Sequence, residues 1–107
     1  MKYLVTITPR ATTYSPAVIA DILVDTQAWL GERMEDGAVD CAYGFVTGGG
    51  VGIVNADSSE ELNELLLSAP DFPIGDFDVR PLAEPDTSLR NAIDALHRAA
   101  GTVGVRT

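Results

Sequence analysis

The chain has 107 residues, 46% of them hydrophobic, and a formal charge of −9. That length suits one domain with a modest core, and the apolar share excludes a disordered tail. The acidic excess repels phosphate backbones, which argues against nucleic-acid binding, and no apolar run reaches the ~18 residues of a membrane span.

Residues 2–8, KYLVTIT, are β-branched and aromatic and predict a strand. Alternation puts Lys2, Leu4, Thr6 and Thr8 on one face and Tyr3, Val5 and Ile7 on the other. The chain enters this strand with no long apolar region or small-residue cleavage site before it, so no leader is expected. Ser15-Pro16 marks a helix start, since Ser15 can cap and Pro16 suits the first helical position. Ile19, Ile22, Leu23, Thr26, Trp29, Leu30 and Met34 recur at helical spacing, predicting a helix over 16–35 that stops at Asp36-Gly37.

Residues 38–46 predict a second strand with Val39, Cys41, Tyr43 and Phe45 on one face. The turn Thr47-Gly48-Gly49-Gly50 leads to a third strand over 51–56. The glycines lack the Lys-Ser/Thr ending and following helix of a phosphate loop. Cys41 is the only cysteine, which excludes an internal disulfide and a multi-cysteine zinc site and fits a reducing cytoplasm.

Ser58 and Glu61 match a capping box, opening a short helix with the stripe Leu62, Leu65, Leu66 and Ala69. Residues 71–75 read as a turn. Residues 76–82, DFDVRPL, read as a fourth strand whose polar face, Asp76, Asp78 and Arg80, lies near an edge or an interface. Beyond Glu84-Pro85, Asp86 or Thr87 would cap a last helix bearing Leu89, Ile93, Leu96 and Ala100. Gly101 would end it and 102–107 would fray.

The order β-α-β-β-α-β plus a C-terminal helix is the ferredoxin-like, split-βαβ arrangement, an α+β fold with helices on one face of an antiparallel sheet. Residues 1–83 would form the domain and 84–107 a helical tail contacting a partner subunit. The uncovered sheet face would be buried by a second copy, making a dimeric α/β barrel, with any assembly beyond the homodimer left open.

The stretch 51–82, VGIVNADSSEELNELLLSAPDFPIGDFDVRPL, resembles the second half of muconolactone isomerases. It has their strand ending in an acidic residue, Ser-rich cap, Leu-rich helix, Pro-x-Phe-Pro-type turn (here Ala69-Pro70-Asp71-Phe72-Pro73) and acidic-apolar strand. The stretch 82–90, LAEPDTSLR, is similar to the family's tail. The chain departs from the family at Leu4, where a His is usual, and at Asp40-Cys41-Ala42-Tyr43-Gly44, where the family carries basic residues. Without that clamp for a lactone carboxylate, a less charged, more hydrophobic substrate fits better.

The resemblance implies a small-molecule enzyme, and no dinucleotide fingerprint or evident metal cluster marks the sequence, so no cofactor is expected. The leading reading is an isomerase or cyclase moving a proton on a hydrophobic, oxygenated substrate: a lactone, a polyketide or an aromatic derivative. The catalytic candidates are Asp40 and Asp76, acids within otherwise apolar strands; Tyr43; and His97, the only histidine. Tyr3, Val5, Ile7, Trp29, Tyr43 and Phe45 would line a pocket between sheet and helices, or else make a plain core. Tyr14 adds a further amphipathic ring, and Arg10 and Arg80 are candidate anion anchors, or members of surface ion pairs. A cofactor-free monooxygenase of the same fold and a non-catalytic ligand-binding or scaffold protein are the alternatives.

Overall fold

A computed structural model describes residues 1–104. The elements are β1 (Lys2–Pro9), α1 (Pro16–Glu35), β2 (Val39–Gly44), β3 (Gly50–Asn55), α2 (Ser59–Leu67), a 3-10 turn (Phe72–Ile74), β4 (Gly75–Leu82) and α3 (Pro85–Gly104). The strands form one antiparallel sheet in the order β2-β3-β1-β4. Each βαβ unit is thus split by a strand inserted between its two.

Local chemistry explains the boundaries. The Ser15 hydroxyl accepts from the Val18 amide, Pro16 opens α1, and Gly37, at φ +84°, turns the chain out of it. Ser58 accepts from the Glu61 amide at 3.1 Å, while the Glu61 carboxylate reaches past Ser58 to the Asp57 amide at 2.9 Å. The box therefore closes one residue further out than its usual form. Helix α3 starts at Pro85, whose preceding residue Glu84 accepts from the Ser88 amide, one to two residues before the expected caps. It runs through Gly101 to Gly104. Of the segment expected to fray, 102–104 continue the helix and 105–107 lie outside the described residues.

Tyr3, Val5, Val39, Val54, Ala56 and Leu62 form the core between the sheet and the helices, with Leu30, Leu65 and Leu66 packed against it. The β1 faces are as alternation requires: Tyr3 and Val5 are buried inward, and Leu4 and Thr6 lie on the open face.

In β2 the expected single face is wrong. Val39 pairs with Val54, but Cys41, not Asp40, pairs with Ile53; the register shifts between Val39 and Cys41. This β-bulge inserts one residue, so the side chains after it change sides. Ala42 and Gly44 face the helices, and Cys41 and Tyr43 face away; Tyr43 is 73% exposed. Phe45 lies beyond the strand, in the hairpin loop, and is exposed.

Helix α3 stands away from the body. Leu89, Ile93 and Leu96, its apolar stripe, are all exposed. The radius of gyration is 19.0 Å, against about 13 Å for a compact chain of this length.

Two glycines should respond oppositely to substitution. At Gly49, φ is +79° and an added Cβ would sit 2.1 Å from the Ile7 carbonyl oxygen, whereas at Gly31, inside α1, it would meet nothing within 4 Å. Urea denaturation should show Gly49→Ala losing at least roughly 1–3 kcal/mol, and Gly31→Ala gaining about 0.5–1 kcal/mol.

Candidate active site

Between α1 and the sheet lies a cavity of about 310 Å³. Its floor is made by four inward-facing positions on adjacent strands, Ala42 paired with Gly52 and Gly44 paired with Gly50. Together these four positions carry one methyl group, so the sheet offers bare backbone where side chains would otherwise fill the layer. The roof is α1, through Leu23, Thr26 and Trp29. Val5, Ile7 and Phe77 close one side and Leu65 and Leu66 another. No residue of α1 is fully buried, as expected of a helix laid over a gap.

The polar groups in this lining are few. The Thr26 hydroxyl donates to the Ile22 carbonyl at 2.8 Å, back-bonding to its own helix. Asp71 is the one acidic residue that lines the cavity among the described residues, and it is only 8% exposed. Its Oδ1 is buried with no hydrogen-bond partner. Burial pushes the Asp71 carboxyl above its ordinary value, with its own backbone amide opposing in part.

Asp71 is held by the turn that contains it. The Phe72 amide donates to Ala69 and the Ile74 amide to Asp71, at 3.0 Å each. Arg10 latches the turn from outside: its guanidinium donates to the Phe72 and Pro73 carbonyls at 3.2 and 3.0 Å, and its amide donates to Ile74. Phe72 and Phe77 stack edge to face, with centroids 5.9 Å apart.

Sequence reasoning passed over Asp71, reading it as part of a turn. The available signal was a single acid within the otherwise apolar run Ala69–Ile74, in a segment too hydrophobic for a solvated loop.

Of the expected pocket residues, Val5, Ile7 and Trp29 line the cavity. Tyr3 belongs to the core instead, its hydroxyl directed at the Met1 sulfur at 3.6 Å. Tyr43 borders the cavity, but its register sends the ring to the opposite face, and Phe45 is outside, so neither supplies a pocket wall as expected. Tyr14 lies on an exposed loop, beside a separate shallow cleft with Thr12 and Pro73.

Both acids expected to act in catalysis, Asp40 and Asp76, are exposed. Asp40 is exposed at the bulge, where Lys2 and then Asn55 donate to it and hold its carboxyl below its ordinary value. Asp76 is exposed on β4 and faces Arg10 at 3.6 Å. Arg80 sits 3.5 Å from Asp78, both exposed. Neither arginine reaches the cavity. His97 is exposed on α3, and Cys41 is half-buried on the open sheet face. The structure therefore does not bring Asp40, Tyr43, Asp76 and His97 together within one copy. Among the described residues no three His, Cys, Asp or Glu side chains cluster as metal ligands, and no helix is long and apolar enough to cross a membrane.

A four-stranded antiparallel sheet in this order, with α1 and α2 on one face, defines a ferredoxin-like α+β protein, here with an apolar cavity between its layers. Its fold is that of muconolactone isomerase, with a TM-score of 0.70 and 20% identity over 79% of this chain and 92% of that one. It is also similar to 5-chloro-2-hydroxyhydroquinone dehydrochlorinase from Burkholderia phenoliruptrix, solved in complex with 2,5-dihydroxybenzoquinone. There the TM-score is 0.62 and the identity 14%, over 81% of this chain and 98% of that one. At these identities the likeness is one of fold. No protein-family model and no curated protein matches the sequence.

The environment of Asp71 has a consequence for stability. With its folded value raised, the folded state holds a proton that the unfolded chain has released, so stability is lost as pH rises through the folded value. Asp71→Asn, which keeps the shape and removes the charge, should therefore be more stable than the parent at pH 7. The advantage should vanish below the unfolded value of about 3.9, as urea denaturation across pH would show.

Proposed function

We propose that this protein is a cofactor-independent isomerase or cyclase that moves a proton on a hydrophobic, oxygenated small molecule in the cavity, with Asp71 as the base. The reading is carried by Asp71, the one acid in a lining that is otherwise almost wholly apolar, whose Oδ1 is buried without a hydrogen-bond partner. A carboxylate deprived of water is a stronger base than a solvated one and needs no water displaced before it meets a carbon acid. The Asp71 carboxylate takes a proton from a C–H beside a carbonyl, and the C–H electron pair enters the conjugated enolate. The same carboxyl returns the proton to another carbon, so the double bond moves with no net oxidation. Trp29 and Phe77 shape the space around the substrate, and the Arg10 latch fixes the turn that aims the carboxylate. The similar structures are named as an isomerase and a dehydrochlorinase, which supports a catalytic use of this fold.

Proton transfer can be followed without knowing the natural substrate. With a panel of enolisable ring ketones in deuterated buffer, the protein should speed incorporation of deuterium beside the carbonyl, read by NMR. Asp71→Asn should lower the rate by about 10²–10⁴-fold, the usual contribution of a general base. Equal rates in parent and variant would remove Asp71 from the chemistry.

The assembly proposed with this function is a homodimer whose open sheet faces stack into a barrel. Leu4, Val51, Ile53, Cys41 and Tyr43 make that face apolar across β1, β3 and β2, while Asp76, Asp78 and Arg80 line the β4 edge. The body, 1–83, would hold the cavity, and the tail from residue 84 would lay its stripe and His97 on the second copy. Sedimentation at micromolar concentration should give a dimer mass for the parent and a monomer mass for Ile53→Asp.

A further inference from the structure

The floor of the cavity carries information about the ligand, given the assignment of Asp71 as its base. We propose that the ligand is a neutral, planar, two-ring molecule that lies flat against the bare strand segment Ala42–Gly44 and Gly50–Gly52 and turns its acidic C–H or O–H toward Asp71.

Shape comes first. Ala42, Gly44, Gly50 and Gly52 form a quadrilateral of cross-strand pairs on one face of the sheet, so the gap beneath α1 is bounded below by peptide planes rather than by side chains. The peptide groups of β3 are hydrogen-bonded to strands on both sides, and the outer groups of the edge strand β2 lie in the plane of the sheet, so the surface turned to the helix is flat and weakly polar. A planar ring makes dispersion contact with such a surface across its whole area, and a puckered ring touches it at a few atoms only. Trp29 in the roof and Phe77 at one side also line the cavity and can meet the ring system.

Size follows from volume. A cavity of about 150 Å³ accepts benzene, and this one is about 310 Å³, twice as large.

Charge completes the description. Among the described residues no Lys, Arg or His lines the cavity, and the one carboxyl group in its lining is that of Asp71. A ligand carboxylate would be stripped of water beside a carboxyl group with no cation to offset it, which is costly in an apolar site. Arg10, which latches the turn that carries Asp71, spends its guanidinium on the Phe72 and Pro73 carbonyls outside.

Calorimetric titration of the intact protein at pH 7 with 2-naphthol, 2-naphthoate and 2-decalol tests each element in turn. The expected result is binding of 2-naphthol at least about tenfold tighter than of the other two, a difference well above measurement error. An added Cβ at Gly44 would meet only the Gly49 carbonyl oxygen, at 3.9 Å, so a larger side chain there grows into the cavity. Gly44→Leu should abolish 2-naphthol binding and Gly44→Ala should weaken it; a circular-dichroism melt identifies any variant that has not folded. Equal or tighter binding of 2-naphthoate or 2-decalol, no binding of 2-naphthol at millimolar concentration, or unchanged affinity in both Gly44 variants would overturn the proposal. The two readings separate cleanly. If 2-naphthol binds as expected but no ring ketone exchanges deuterium, the base assignment falls and the ligand class stands. Exchange that is equally fast on puckered or carboxylate-bearing ketones has the opposite meaning.

Discussion

The interior of this domain is organised around a place where two neighbouring strands have almost nothing to offer the helix above them. Protein layers close up to crystal-like density because side chains from both sides interdigitate. Where β2 and β3 present Ala42, Gly44, Gly50 and Gly52, one side of that exchange is missing, and α1 cannot drop into the gap because it rests elsewhere on the core at Leu30. The gap depends in turn on the bulge between Val39 and Cys41. Without the inserted residue, Cys41 and Tyr43 would point inward, and a tyrosine ring would occupy the space. One residue of register thus decides whether the domain has a solid core or a hollow one.

The charged groups are sorted by the same architecture. Asp40 and Asp71 are chemically identical side chains with opposite fates: Asp40 is held in its charged form by Lys2 and Asn55 at the surface, while burial favours the neutral form of Asp71. Keeping an unpaired carboxyl indoors costs free energy that only a rigid surround can sustain. The turn from Asp71 to Ile74 supplies it, cross-linked by backbone hydrogen bonds and clamped by Arg10.

Element order and most boundaries were legible in the sequence because they rest on local signals: the Ser15-Pro16 start, the Ser58 cap and the alternation in β1 and β4. The likeness of 51–90 to muconolactone isomerases pointed to the same fold that the comparisons show. The site was much less legible. Strict alternation through β2 put Tyr43 inside, since a bulge leaves no mark in the pattern when Val39, Cys41, Ala42 and Tyr43 can all be buried. The glycines at 48–50 were read for their turn, which is correct for Gly48 and Gly49, at φ +108° and +79°. The role of Gly50 and Gly52 as an absence of side chains needs the pairing of β2 with β3 to be seen. Asp71 was hidden for a similar reason: its burial comes from long-range packing of a turn that looks exposed when read alone.

Helix α3 gives a single copy an unusual outline, 65 × 30 × 25 Å, like a ball with a rod attached. Friction in solution grows with reach as well as with mass, so a lone copy would tumble and migrate as a heavier particle than it is. A pair that folds both rods down onto neighbouring bodies would be rounder, and its passage through a gel matrix would differ from that of one copy by less than the doubling of its weight suggests. The shape of the tail therefore makes chromatographic size a poor proxy for stoichiometry in this protein.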